Sequence, residues 1–131
     1  WRLYSPLHHV TKNTPPTIIF HGTNDTTVPF SGVAAFEKKM KALGRPCALA
    51  AYEGEKHTFF NYQKFNGVHF CDTITKIETF LISLKLMEGP ARTVKQVREL
   101  CYGDKPAPPI AKELRRKAKE KTKAKAEIPA K

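Results

Sequence analysis

The chain has 131 residues, 40% of them hydrophobic, which allows one domain or part of one with a core; no apolar run approaches the roughly 20 residues that a membrane span requires. Its net charge of +11 is unevenly spread: Lys105 to Lys131 holds ten Lys or Arg against three Glu, and Trp1 to Asp104 holds 13 basic and nine acidic residues. Most of the basicity therefore belongs to a tail, and the body of the chain does not have the charge of a nucleic-acid-binding domain. Cys47, Cys71 and Cys101 lack C-x-x-C spacing, and an odd number cannot all pair within one chain, so neither a zinc site nor a disulfide framework is expected. The sequence opens at Trp1 without a basic segment followed by an apolar one, which predicts that the native N-terminus lies upstream and that these residues are a fragment.

In chain order, Asn13 to Pro16 form a stiff entry to the apolar, β-branched run Thr17 to His21, which suits a central parallel strand buried on both faces. After a loop from Gly22 to Pro29, Ser31 is placed to cap a helix with Val33, Phe36, Met40 and Leu43 on one stripe and Gly44 just past its end. Ala48 to Tyr52 reads as a second strand, parallel to the first through a right-handed crossover. Asp72 to Leu86 is the strongest helix pattern, with Asp72 as cap and Ile74, Ile77, Phe80, Leu81 and Leu84 facing the sheet. Thr93 and Gln96 form a capping-box pattern for a short helix carrying Val94, Val97, Leu100 and Cys101 and ending by Gly103. Beyond Lys105, prolines and a Lys/Arg/Glu/Ala stretch have little to bury, so a disordered tail or frayed helix is expected. The body is thus residues 1–104 and the tail 105–131.

Catalytic groups of open α/β sheets gather at the carboxyl ends of strands. Asp25 lies just after the first strand in His21-Gly22-Thr23-Asn24-Asp25-Thr26-Thr27-Val28-Pro29, and His57 lies just after the second in Gly54-Glu55-Lys56-His57-Thr58-Phe59-Phe60. Two parallel strand ends would bring this carboxylate and imidazole together, the carboxylate orienting the ring as a base. The first stretch resembles the HGxxDxxVP motif carrying the triad acid of α/β-hydrolase esterases and prolyl-oligopeptidase-like enzymes. The second resembles their YxGxxHxF histidine motif, and Ser5-Pro6 resembles an SP pair found ahead of the acid strand. The resemblance covers about Ser5 to Gly89. It implies an α/β fold, namely the last parallel strands and flanking helices of an α/β-hydrolase, with Asp25 as triad acid and His57 as general base. The chain order in such enzymes is nucleophile, acid, histidine, so a C-terminal piece lacks the first. No G-x-S-x-G surrounds Ser5, Ser31 or Ser83. Glu55 and Lys56 stand where the family often has small residues, which bears on the rim of the pocket.

Other residues read as structural. His21 ends a buried strand, as a ring satisfied by backbone; His69 reads as surface. His8 and His9 lack the neighbours for a metal site, and the reading calls for no cofactor. Phe59, Phe60, Tyr62, Phe65 and Phe70 read as packing over the sheet edge, with a pocket wall as the alternative. Cys47 and Cys71 read as small hydrophobes. The function implied is carboxylesterase-like acyl hydrolysis of a small ester. A prolyl-oligopeptidase-like peptidase or a dienelactone-type hydrolase with a cysteine nucleophile would use the same two residues. From another class, the tail could bind polyanions through Lys112, Arg115, Arg116, Lys117, Lys119, Lys121, Lys123 and Lys125. It has no aromatic residue for base stacking, so specific nucleic-acid recognition is not expected.

Overall fold

The computed structural model describes residues 2–64 and 67–103. Two 3-10 turns, Arg2–Tyr4 and Pro6–His9, lead into strand β1 (Thr17–Gly22), helix α1 (Phe30–Ala42), strand β2 (Cys47–Tyr52), helix α2 (Val68–Ser83) and helix α3 (Val94–Tyr102). The strands pair in parallel from Thr17 opposite Cys47 to Gly22 opposite Tyr52. The ladder runs on at both ends, where the Thr17 amide donates to the Pro46 carbonyl and the Thr23 amide to the Tyr52 carbonyl. Both strands therefore release their chains at the same edge. β1 is not a strand buried on both faces: among the described residues it pairs with β2 alone, and Thr17 to Phe20 are half-buried. Only His21 and Gly22, under the loops at the carboxyl end, are buried.

Helix α1 buries Met40 completely and ends with Gly44 in the left-handed conformation at φ 67°. The Arg45 amide donates to the Met40 carbonyl and the Gly44 amide to that of Lys41, the paired closure that glycine permits at this position. Its start differs from expectation. Pro29, without a side-chain cap, precedes the first residue, and Ser31 lies inside the helix.

Helix α2 begins four residues earlier than its pattern suggests, because Gly67, at φ 72°, turns the chain and lets Val68 open the helix. Asp72 is consequently not a cap. Its carboxylate accepts from the Tyr52 hydroxyl and the Lys76 ammonium, both at 2.5 Å, tying α2 to the end of β2. Burial, then the Asp72 carboxylate, push the Tyr52 phenol well above its ordinary value. The helix stops at Ser83, short of Leu86, where Lys85 takes a left-handed backbone at φ 58° and the Leu86 amide closes onto the Leu81 carbonyl.

The seam of α2 is chiefly with α3; it touches the sheet at β1 and, through Tyr52, at the end of β2. Cys71, Val97 and Tyr102 form a buried cluster with Phe70, Ile74 and Val94 around it, while Ile77, Phe80, Leu81 and Leu84 are half-buried. Glu78 is buried on α2 and accepts from the Arg92 amide at 2.8 Å and from its guanidinium, which holds the Glu78 carboxyl below its ordinary value. Arg92 leads directly into the Thr93 capping box, present as expected: the Gln96 amide donates to the Thr93 hydroxyl and the Thr93 amide to the Gln96 side chain. Leu100 and Cys101, however, face solvent, Leu100 being 67% exposed, and Tyr102 takes the buried place. The tail from Lys105 and its polyanion-binding residues lie outside the described residues.

Candidate active site

The carboxyl ends of β1 and β2 are neighbours in the sheet, so the loops leaving them are built against each other. The Asn24 amide donates to the Glu55 carbonyl at 3.0 Å, and the Gly54 amide donates to the Thr23 hydroxyl at 2.8 Å. Gly22 is needed for this approach, since a Cβ there would collide with the backbone carbonyl of Glu55.

Asp25 sits in this seam with its side chain only 5% exposed. One carboxylate oxygen, Oδ1, accepts the Thr27 and Val28 amides at 2.8 and 2.9 Å, an Asx-type turn that leaves the other oxygen for a partner across the seam. That oxygen, Oδ2, accepts from His57 Nδ1 at 2.8 Å. Burial alone would raise the Asp25 carboxyl, but the Val28 amide, the His57 ring and the Thr27 amide together outweigh it and hold the group at about 2. The carboxylate is thus ionised at neutral pH. Because Nδ1 donates to it, the neutral ring keeps its lone pair on Nε2, and the His57 side chain is 48% exposed. The pair that the sequence places at two strand ends does meet.

His21 is buried at 8% exposure, beside the Phe30 ring. Its Nδ1 donates to the Gly22 carbonyl at 3.0 Å, so backbone satisfies one of the two ring nitrogens and not the whole ring. Among the described residues its Nε2 has no hydrogen-bond partner, and it lies 3.6 Å from Asp25 Oδ2, so a second imidazole flanks the same oxygen. His69 is not a surface residue. With α2 starting early, His69 falls in its first turn, Nε2 lying 3.1 Å from Glu55 Oε1 and the ring edge-on to Tyr52 and Phe59. Glu55, expected at the pocket rim, therefore anchors the histidine loop to α2.

Phe59 packs 4.4 Å from the Tyr52 ring at the sheet edge, whereas Tyr62 stacks on Tyr102 of α3 at 4.3 Å and Phe60 is exposed; Phe65 lies outside the described residues. His9 Nε2 is bonded to the Leu3 carbonyl, and among the described residues no cluster of His, Cys, Asp and Glu could hold a metal. Cys71 is fully buried and Cys47 half-buried; burial raises both thiols, as for small hydrophobes. No described helix is long and apolar enough to cross a membrane. Three residues of the site carry no signature in the sequence: Thr23, and Thr58 with Lys64, whose ammonium donates to the Thr58 hydroxyl at 2.9 Å. A residue beside a motif gives no sign of which backbone group it will meet some thirty positions away.

Comparison with known proteins converges on hydrolases. The model of the prolyl oligopeptidase family matches residues 1–75. Over 52 residues the chain is 36% identical to a probable isoprenylcysteine alpha-carbonyl methylesterase, ICMEL1, of Arabidopsis thaliana, covering 40% of this chain and 11% of that protein. Over 41 residues it is 34% identical to the esterase LipC of Mycobacterium tuberculosis, covering 31% of this chain and 10% of that one. The apo form of Thermogutta terrifontis esterase 2 superposes with a TM-score of 0.65 at 36% identity, covering 67% of this chain and 33% of the esterase. The chain thus spans about a tenth of the relatives' length and a third of that solved structure.

Proposed function

The chain belongs to the prolyl oligopeptidase family, within the α/β-hydrolase serine hydrolases, and from that premise we propose that it supplies the acid and the general base of a triad for ester hydrolysis. One observation carries the reading: Asp25 Oδ2 and His57 Nδ1 lie 2.8 Å apart at the ends of adjacent parallel strands. In the proposed reaction a serine attacks the ester carbonyl while His57 Nε2 takes its proton. His57 then returns that proton to the leaving alcohol, and water repeats the cycle on the acyl-enzyme. Asp25 fixes the Nδ1–H tautomer and stabilises the imidazolium formed at each step. The serine of this reading lies ahead of Trp1, since Ser5, Ser31 and Ser83 do not occupy a nucleophile elbow. Esters are preferred to peptides as substrates because the named relatives and the superposing structure are esterases.

The test is made in the complete protein. His57→Ala should lower kcat on p-nitrophenyl esters on the order of 10⁴-fold with the fold intact, and Asp25→Asn by the same amount or less, through the wrong tautomer. Near-normal turnover of His57→Ala would sink the assignment. Faster turnover of a peptide anilide than of the esters would keep the triad but replace the substrate class.

A further inference from the structure

His57 is followed by a residue in an unfavourable backbone conformation. Thr58 has φ 61°, in the left-handed region where a β-branched side chain is strongly disfavoured. The chain on either side is fixed. Upstream, Glu55 is bonded to Asn24 through its carbonyl and to His69 through its carboxylate. Downstream, Phe59 is buried against Tyr52 and His69. Between them the His57 ring is half-exposed, so packing covers it only in part, and its reach to Asp25 depends also on the backbone of residues 57 and 58. Among the described residues, two contacts hold that backbone. The Asn61 amide closes a turn onto the Thr58 carbonyl at 3.3 Å, and Lys64 places its ammonium 2.9 Å from the Thr58 hydroxyl and 3.5 Å from the His57 carbonyl.

We propose that Lys64 is a positioning residue for His57, its ammonium holding Thr58 in the left-handed conformation from which the imidazole reaches Asp25. The inference rests on the catalytic reading of His57 and adds to it a residue outside both motifs. A single cationic donor shared by the hydroxyl of residue 58 and the carbonyl of residue 57 opposes relaxation of Thr58 toward the extended region, which would carry the His57 carbonyl and side chain with it. The requirement for Lys64 comes from the threonine. Glycine at position 58 adopts the same backbone without penalty, so in its presence the ammonium should become dispensable.

The 15N shifts of the His57 ring nitrogens in the 131-residue chain, recorded where imidazoles are neutral, read the tautomer directly. The original chain should show the Nδ1–H form, and Asp25→Asn should move it toward the Nε2–H form that a solvated ring favours. Lys64→Met, which keeps the aliphatic stem but not the donor, should move it in the same direction, whereas Thr58→Gly and the double variant Thr58→Gly/Lys64→Met should both retain Nδ1–H. If Lys64→Met keeps Nδ1–H while Asp25→Asn loses it, the role of Lys64 is overturned and the Asp25–His57 bond stands. Loss in the double variant as complete as in Asp25→Asn overturns the route through Thr58, and it decides the matter even if Lys64→Met alone fails to fold. An Nε2–H ring in the original chain would overturn the catalytic reading together with this one.

Discussion

At the scale of single residues, Asp25 links the site to the acid stability of the fold. Its carboxyl is held at about 2, below the roughly 3.9 of an unfolded aspartate. A depressed folded value contributes stability that is fully present above the unfolded value and lost as pH falls through the folded one. Urea midpoints of the chain and of Asp25→Asn should therefore differ most above about pH 4, and the difference should close between about pH 4 and 2. Asp72 and Glu78 also lie below their ordinary values, but they are common to both proteins and cancel in the comparison. A gap that stayed constant across this range would remove the Asp25 carboxylate as its source. The pair itself was legible in the sequence because parallel strand ends coincide whatever the loops do. Lys64 and Thr23 were not, since each acts through the reach of a side chain to one particular backbone group or hydroxyl. His69 was misread because its environment follows from where α2 starts, and that start is set by a glycine.

The elements divide in the same way. The run Thr17 to Gly22, the buried Met40 of α1 and the end of that helix at Gly44 follow from β-branching, helical spacing and glycine's freedom at positive φ, which are local properties, whereas Cys47 to Tyr52 has no β-branched residue and is held as a strand by its pairing with β1. Helix starts were legible only where a side chain does the capping. Pro29 and Gly67 open α1 and α2 without a side-chain hydrogen bond, so Ser31 and Asp72 drew the sequence reading to the wrong positions. Thr93 does cap, and α3 begins where its pattern says. α3 is short, and its packing against α2 rests on Val97 and Tyr102. Removing the cap should therefore be felt globally: Thr93→Ala should cost about 1 kcal/mol in urea unfolding, with Thr93→Ser close to the original. An unchanged midpoint for Thr93→Ala would mean that α3 docks on α2 independently of its first turn.

At the scale of the molecule, the described residues make an incomplete enclosure. β1 and β2 form a two-stranded sheet, and beside β1 an open apolar groove of about 410 Å³ runs between Pro6, Leu7, Ile19, Val28, Val33 and Phe36. The imidazole on the strand-end edge is half-exposed, so water reaches the one group that would act as base. Under the proposed function the bond-making partner is a serine in a strained elbow, which the sequence lacks, and a positioned base has no hydroxyl to activate. An imidazole alone can attack an activated ester, but it does so without an oxyanion site and at a rate near that of free imidazole. The 131-residue chain should therefore turn over p-nitrophenyl acetate no faster than an equal concentration of imidazole and take up no serine-directed phosphonate. A burst of nitrophenol with stoichiometric phosphonate labelling would show that one of Ser5, Ser31 or Ser83 serves as nucleophile after all, and the division of the triad between this chain and residues ahead of it would have to be abandoned.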